Sequence, residues 1–185
     1  MAIRRELIGR DLEEAVTTSN MNVNSTVNIW EQASNLITNG VKTIALSPVK
    51  INSLDKFSLW IRRASALNYD TDKLKRNFTQ VYETMYYGTS PTTAKPFAFR
   101  DEADVEISEE GSGSATEGLQ YGATLHFKGD RQYGTVDVVS GQLTFTPITT
   151  LNTNNFYDEA GISGRRNLKL FFEYEESEFN APITN

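Results

Sequence analysis

The sequence predicts a mainly β protein, a β-sandwich or jelly-roll-like domain with an N-terminal helical arm. Three observations carry this. From residue 41 onward the apolar residues recur with a period of two. Short turn signals such as Ser140-Gly141 separate these runs. Ahead of residue 41, apolar residues instead fall at helical spacing. The expected organisation is an arm over residues 1–40 and a β-sandwich domain over 41–185, with a polar loop at 149–166.

Ile3, Leu7, Ile8, Leu12 and Val16 line one face of a helix drawn over residues 3–16. A lone helix of this length is marginal in water, so its apolar stripe must dock on something. These five residues are the candidate assembly interface. Residues 17–28 are polar and predict an extended arm. A second helix over 26–38, with Val27, Trp30, Ala33, Leu36 and Ile37 on one side, competes with a strand for part of that stretch. Asn39-Gly40 would end it.

Residues 43–51 alternate as a half-buried strand, with Pro48 at an edge or bulge. Residues 57–62 are rich in strand formers and predict a second strand. Residues 78–87 combine Phe78, Val81, Tyr82, Met85, Tyr86 and Tyr87, and the turn-rich stretch after them favours a strand. Two strands are expected at 97–99 and 103–107, then a flexible tip at Gly111-Ser112-Gly113-Ser114. A meander follows over 121–128, 133–139 and 142–148, turning at Gly129-Asp130 and Ser140-Gly141. Residues 168–174 form the last strand.

Composition removes several chemistries. The chain of 185 residues has no cysteine and one histidine, so thiolate nucleophiles, cysteine-bound zinc and any two-histidine site are excluded. Its net charge of −6 argues against nucleic acid as the main partner. No apolar run approaches the roughly 18 residues of a membrane helix, and residues 1–6 lack the apolar stretch of a signal peptide. The charge is uneven: +2 over residues 1–92 and −8 over 93–185. That asymmetry would favour head-to-tail contact between copies.

His126 alternates onto the strand face opposite Leu125 and Phe127 and is expected to be an ordinary strand histidine. Neither a nucleophile elbow nor a phosphate-binding glycine loop is present. Asp101, Glu102, Asp104, Glu106, Glu109 and Glu110 supply oxygens of the kind calcium takes, but the strand alternation of Asp104 and Glu106 fits a solvated face better. Trp60, Tyr82, Tyr86 and Tyr87 suit a sugar platform or, more simply, a core or interface. Arg62-Arg63 and Arg165-Arg166 fit ion pairing or subunit contact. Asn24-Ser25-Thr26 and Asn77-Phe78-Thr79 match the glycosylation acceptor by coincidence. No catalytic residue, cofactor or metal is expected.

Three pieces together carry a resemblance. Thr43-Ile44-Ala45-Leu46-Ser47-Pro48-Val49-Lys50-Ile51 is followed by Asn52-Ser53 and then by Lys56-Phe57-Ser58-Leu59-Trp60-Ile61-Arg62-Arg63. Further on comes Val81-Tyr82-Glu83-Thr84-Met85-Tyr86-Tyr87, running into Gly88-Thr89-Ser90-Pro91-Thr92-Thr93. Residues 40–109 thus resemble, in style, the small β-sandwich modules of tailed-bacteriophage structural proteins. The resemblance implies a virion location and a mechanical role: a neck or tail ring or adaptor, or a capsid decoration or fibre-base protein. It implies copies of the chain and other virion structural proteins as partners, with no membrane and no reaction. The alternatives are a carbohydrate- or receptor-binding β-sandwich module and, behind it, a carboxylate glycosidase.

Overall fold

A computed structural model describes residues 2–13, 24–27, 33–36, 42–50, 54–109, 120–158 and 167–180. The fold is mainly β, as expected. Its elements are β1 (Arg4–Glu13), β2 (Asn24–Val27), β3 (Ala33–Leu36), β4 (Lys42–Lys50), α1 (Lys56–Ala66), β5 (Lys75–Tyr87), β6 (Lys95–Glu109), β7 (Gln120–Val139), β8 (Gln142–Pro147), β9 (Phe156–Asp158), β10 (Asn167–Tyr174) and α2 (Glu176–Asn180). An eight-stranded antiparallel sheet runs β1-β10-β5-β6-β7-β4, with β8 added to β7 and β9 to β5. Strands β2 and β3 form a separate antiparallel pair.

Two predicted elements change type. The expected N-terminal helix is strand β1, paired with β10 from Arg4 opposite Tyr174 to Glu13 opposite Asn167. The cross-strand ladder outweighs the weak helical periodicity, since tertiary pairing overrides local preference. The expected strand at 57–62 is helix α1. Phe57, Trp60, Ile61 and Ala64 are buried on one face, at the i, i+3, i+4, i+7 spacing of an amphipathic helix. Asp55 caps it, its side chain accepting from the Ser58 amide at 3.2 Å. Asn68, with φ of 49°, closes the other end. Where residues 26–38 are described, the strand alternative holds in place of the helix: Thr26 and Val27 end β2 and Ala33–Leu36 is β3.

Three further boundaries move. The strands at 97–99 and 103–107 are one element, β6. Gly129-Asp130 is no turn, because β7 runs straight through it. Arg100 pairs with Gln132 and Glu102 with Lys128, so one residue of β6 faces three of β7. That bulge bends both strands. The expected turn at Ser140-Gly141 is present, both residues holding positive φ (53° and 75°), as a two-residue hairpin loop requires. Within the predicted polar loop, Phe156–Asp158 adds strand β9 beside Met85–Tyr87. The tip at 111–114 lies outside the described residues.

Alternation gives the sheet two faces. On one, α1 lays Phe57, Trp60 and Ile61 against Phe78, Val105, Leu125, Leu170 and Phe172. Beyond the bulge, Tyr82, Met85, Phe97, Phe99 and Leu168 form a second cluster. On the other face, Val81, Ala98 and Val136 pack with Leu143, Phe145 and Phe171. The sheet therefore curls, bringing β8 round towards β1: Arg5 of β1 donates to the Leu143 carbonyl of β8 at 3.2 Å. No helix among the described residues is long and apolar enough to cross a membrane.

Candidate functional site

Leu7 and Ile8, two of the five predicted interface residues, do not share a surface. Ile3 precedes β1 and is 45% exposed. Leu7 and Ile8 are consecutive strand residues, and a strand sends such neighbours to opposite faces. Leu7 stands opposite Phe171, whereas Ile8 packs on the α1 core. Leu12 pairs with Leu168 in the backbone register. Val16 lies outside the described residues. The stripe dissolves because the segment repeats every two residues.

Strand alternation instead gives β1 two polar tasks. Odd-numbered Arg5 enters a buried ionic cluster. Its Nε donates to Glu173 Oε1 at 3.0 Å and to Thr79 Oγ1 at 3.1 Å. Thr79 Oγ1 donates to the same carboxylate at 2.6 Å. Arg100 Nε completes the set from Glu173's other oxygen, at 2.7 Å. Breaking such a buried pair by removing one partner is strongly destabilising.

Even-numbered Glu6 reaches the opposite face. Its two carboxylate oxygens accept from the amides of Lys56 and Phe57 at 3.1 and 2.9 Å. It thus satisfies two orphan donors at the start of α1. Burial raises the Glu6 pKa above its ordinary 4.5; the Lys56 and Phe57 amides oppose the rise, and the charge and hydrogen bond of Asp55 add to it.

A second ionic cluster sits at the β6–β7 bulge. Arg131 Nη2 lies 3.0 Å from Asp101 Oδ2, and Gln80 Nε2 donates to the same oxygen at 3.4 Å. The Arg131 guanidinium also stacks 3.7 Å above the Phe99 ring. Two further acidic residues of β6 are paired singly with β7: Asp104 with Lys128 and Glu106 with His126 at 2.8 Å. They do not converge, and among the described residues no group of three or more potential metal ligands occurs.

Trp60 and Tyr82, 2% and 6% exposed, belong to separate core clusters and do not form a joint sugar platform. The acceptor-like Asn77-Phe78-Thr79 lies inside β5, with Phe78 and Thr79 fully buried. Arg62 is exposed, while Arg63 donates to the Glu178 carbonyl.

Sequence reasoning placed the β7–β8 turn but did not single out the two valines beside it. Val138 and Val139 are 66% and 54% exposed. Being consecutive, they point to opposite faces, so the tip projects beyond the sheet with both faces in water. Their place beside the predicted Ser140-Gly141 turn was the available signal. Among the described residues β1, β4 and β8 each pair on one side only. Such one-sided strands carry backbone donors and acceptors that no described strand pairs with.

No protein-family model, curated protein or solved structure matches the chain.

Proposed function

We propose that the chain is a structural subunit of a tailed-phage virion, working through repeated contacts with copies of itself and with other virion proteins. The observation that carries this is the projecting hairpin tip. Two apolar side chains on opposite faces of a tight turn are costly to leave in water and gain from being covered. One-sided pairing of β1, β4 and β8 adds edges at which a neighbour's strand can continue the sheet. The uneven charge, +2 in residues 1–92 and −8 in 93–185, supports head-to-tail packing. Of the segments that carry the phage resemblance, 81–93 keeps its expected form, strand β5 with a turn after it, whereas 56–63 is α1. A neck or tail ring or adaptor fits this asymmetry better than an isolated decoration.

Mass spectrometry of purified tailed-phage particles whose genome encodes the chain tests the proposal. The chain is expected in intact particles at a fixed multiple of the particle's symmetry. Its absence from particles, with abundance in the infected cell, would overturn the assignment.

A further inference from the structure

Helix α2 carries acidic and aromatic side chains onto a cationic groove between α1 and β5. Arg76 Nη2 lies 2.8 Å from Glu178 Oε2, and Arg63 donates to the main-chain carbonyl of Glu178. The Phe179 ring has Lys56 Nζ 5.2 Å and Arg63 Cζ 6.0 Å from its centroid. It also meets Tyr174 edge-on at 5.6 Å. Glu176 reaches Arg4 at 3.4 Å and Lys56 at 3.9 Å. Charge complementarity therefore runs the length of the helix.

The fit is nevertheless shallow. None of the five residues of α2 is buried. A pocket of about 320 Å³ remains, lined by Trp60, Arg63, Tyr69, Arg76, Glu178 and Phe179. Two buried donors belong to residues of its wall, Trp60 Nε1 and Arg76 Nε, and neither finds an acceptor among the described residues. The Arg76 guanidinium lies 5.1 Å from the Trp60 ring centroid. Buried N–H groups are rarely left without a partner. Glu175 is the one residue between β10 and α2, so a short connection tethers the helix to its own chain. A segment arriving from another copy is not bound by that tether, and short connections of this kind favour exchange of an element between copies.

We propose that the α1–β5 groove is a docking site for an acidic–aromatic segment, and that its occupant in an assembly is the Glu175–Asn180 segment of a second copy. This rests on the assembly reading above and names its contact.

A fluorescent peptide of residues 174–180 tests the groove by anisotropy. It is titrated against the full-length chain and against full-length Phe179→Ala, in which the chain's own segment is weakened. Saturable binding is expected, about tenfold tighter to Phe179→Ala than to the unaltered chain. Adding Arg63→Gln and Arg76→Gln should weaken it at least about tenfold, with circular dichroism confirming the fold. The Trp60 indole N–H resonance, assigned with Trp60→Phe, should shift on binding and gives a second readout. No binding to Phe179→Ala, or binding indifferent to both arginines, would overturn the docking site.

Sedimentation tests the second copy. Phe179→Ala, whose groove is freed, mixed with Arg63→Gln/Arg76→Gln, whose segment is intact, should associate about tenfold more tightly than either variant does with itself; no gain on mixing would overturn that occupant. A chain that enters particles but ignores the peptide loses the groove and keeps the assembly role, so the two failures are distinguishable.

Discussion

Arg5 and Glu173 face each other across β1 and β10, the guanidinium Nη2 2.9 Å from the carboxylate, with their side chains only 8% and 3% exposed. This pair ties the first strand to the last. Through the Leu143 carbonyl, Arg5 also ties β1 to the β7–β8 hairpin. It fastens the curl of the sheet.

Arg5→Ala is therefore expected to cost about 3–5 kcal/mol, the usual penalty for stranding one partner of a buried ion pair. Arg100→Ala should cost less, because Arg100 is 28% exposed on its side chain and water can partly replace it. Urea unfolding of the two variants checks the order. A loss below about 1 kcal/mol for Arg5→Ala would show that the pair does not hold the curl.

Much of the sheet was legible in the sequence, for a physical reason. Strand β10 buries Leu168, Leu170 and Phe172 and leaves Lys169 and Phe171 half-buried between them, and β8 alternates half-buried Leu143 and Phe145 with exposed neighbours, so alternation was written into their residues. The errors came where two periodicities fit one segment. Ile3, Leu7, Ile8 and Leu12 suit a helix by spacing, but the partner strand 160 residues away decides the matter. Phe57, Trp60 and Ile61 are strand formers by type, yet their spacing and the Asp55 cap specify a helix. Gly129-Asp130 has turn chemistry, which a bulge uses equally well. The site was less legible. Side chains such as Arg5, Thr79, Arg100 and Glu173 meet only through long-range pairing, and no local pattern announces that.

Glu6 predicts a pH dependence. Its raised pKa means that the folded chain favours the protonated carboxyl. Its contribution to stability is thus fully present below the ordinary value of 4.5 and is lost as pH rises through the raised folded value. The stability of the unaltered chain minus that of Glu6→Gln should fall as pH increases from about 4.5. Urea midpoints measured across this range check the slope. Parallel profiles, or a difference that grows with pH, would contradict the burial of Glu6 beside Asp55.

Gly134 has no room for a side chain. A Cβ there would come within 2.4 Å of both the Phe145 ring and the Thr146 carbonyl oxygen. The ring can turn, but the carbonyl is held in the β7–β8 ladder. Gly134→Ala is expected to cost about 1–3 kcal/mol, as overpacking does. Thermal unfolding checks it; an unchanged midpoint would mean that the hairpin is free to move off β7.

The structural role proposed above makes the exposed hairpin tip the decisive surface. Val138→Asp with Val139→Asp changes two exposed side chains, so the thermal midpoint should barely move. The measurement is incorporation of this double variant into purified particles against the unaltered chain. A loss of at least about tenfold is expected, with the fold intact. Equal incorporation by a folded double variant would contradict it.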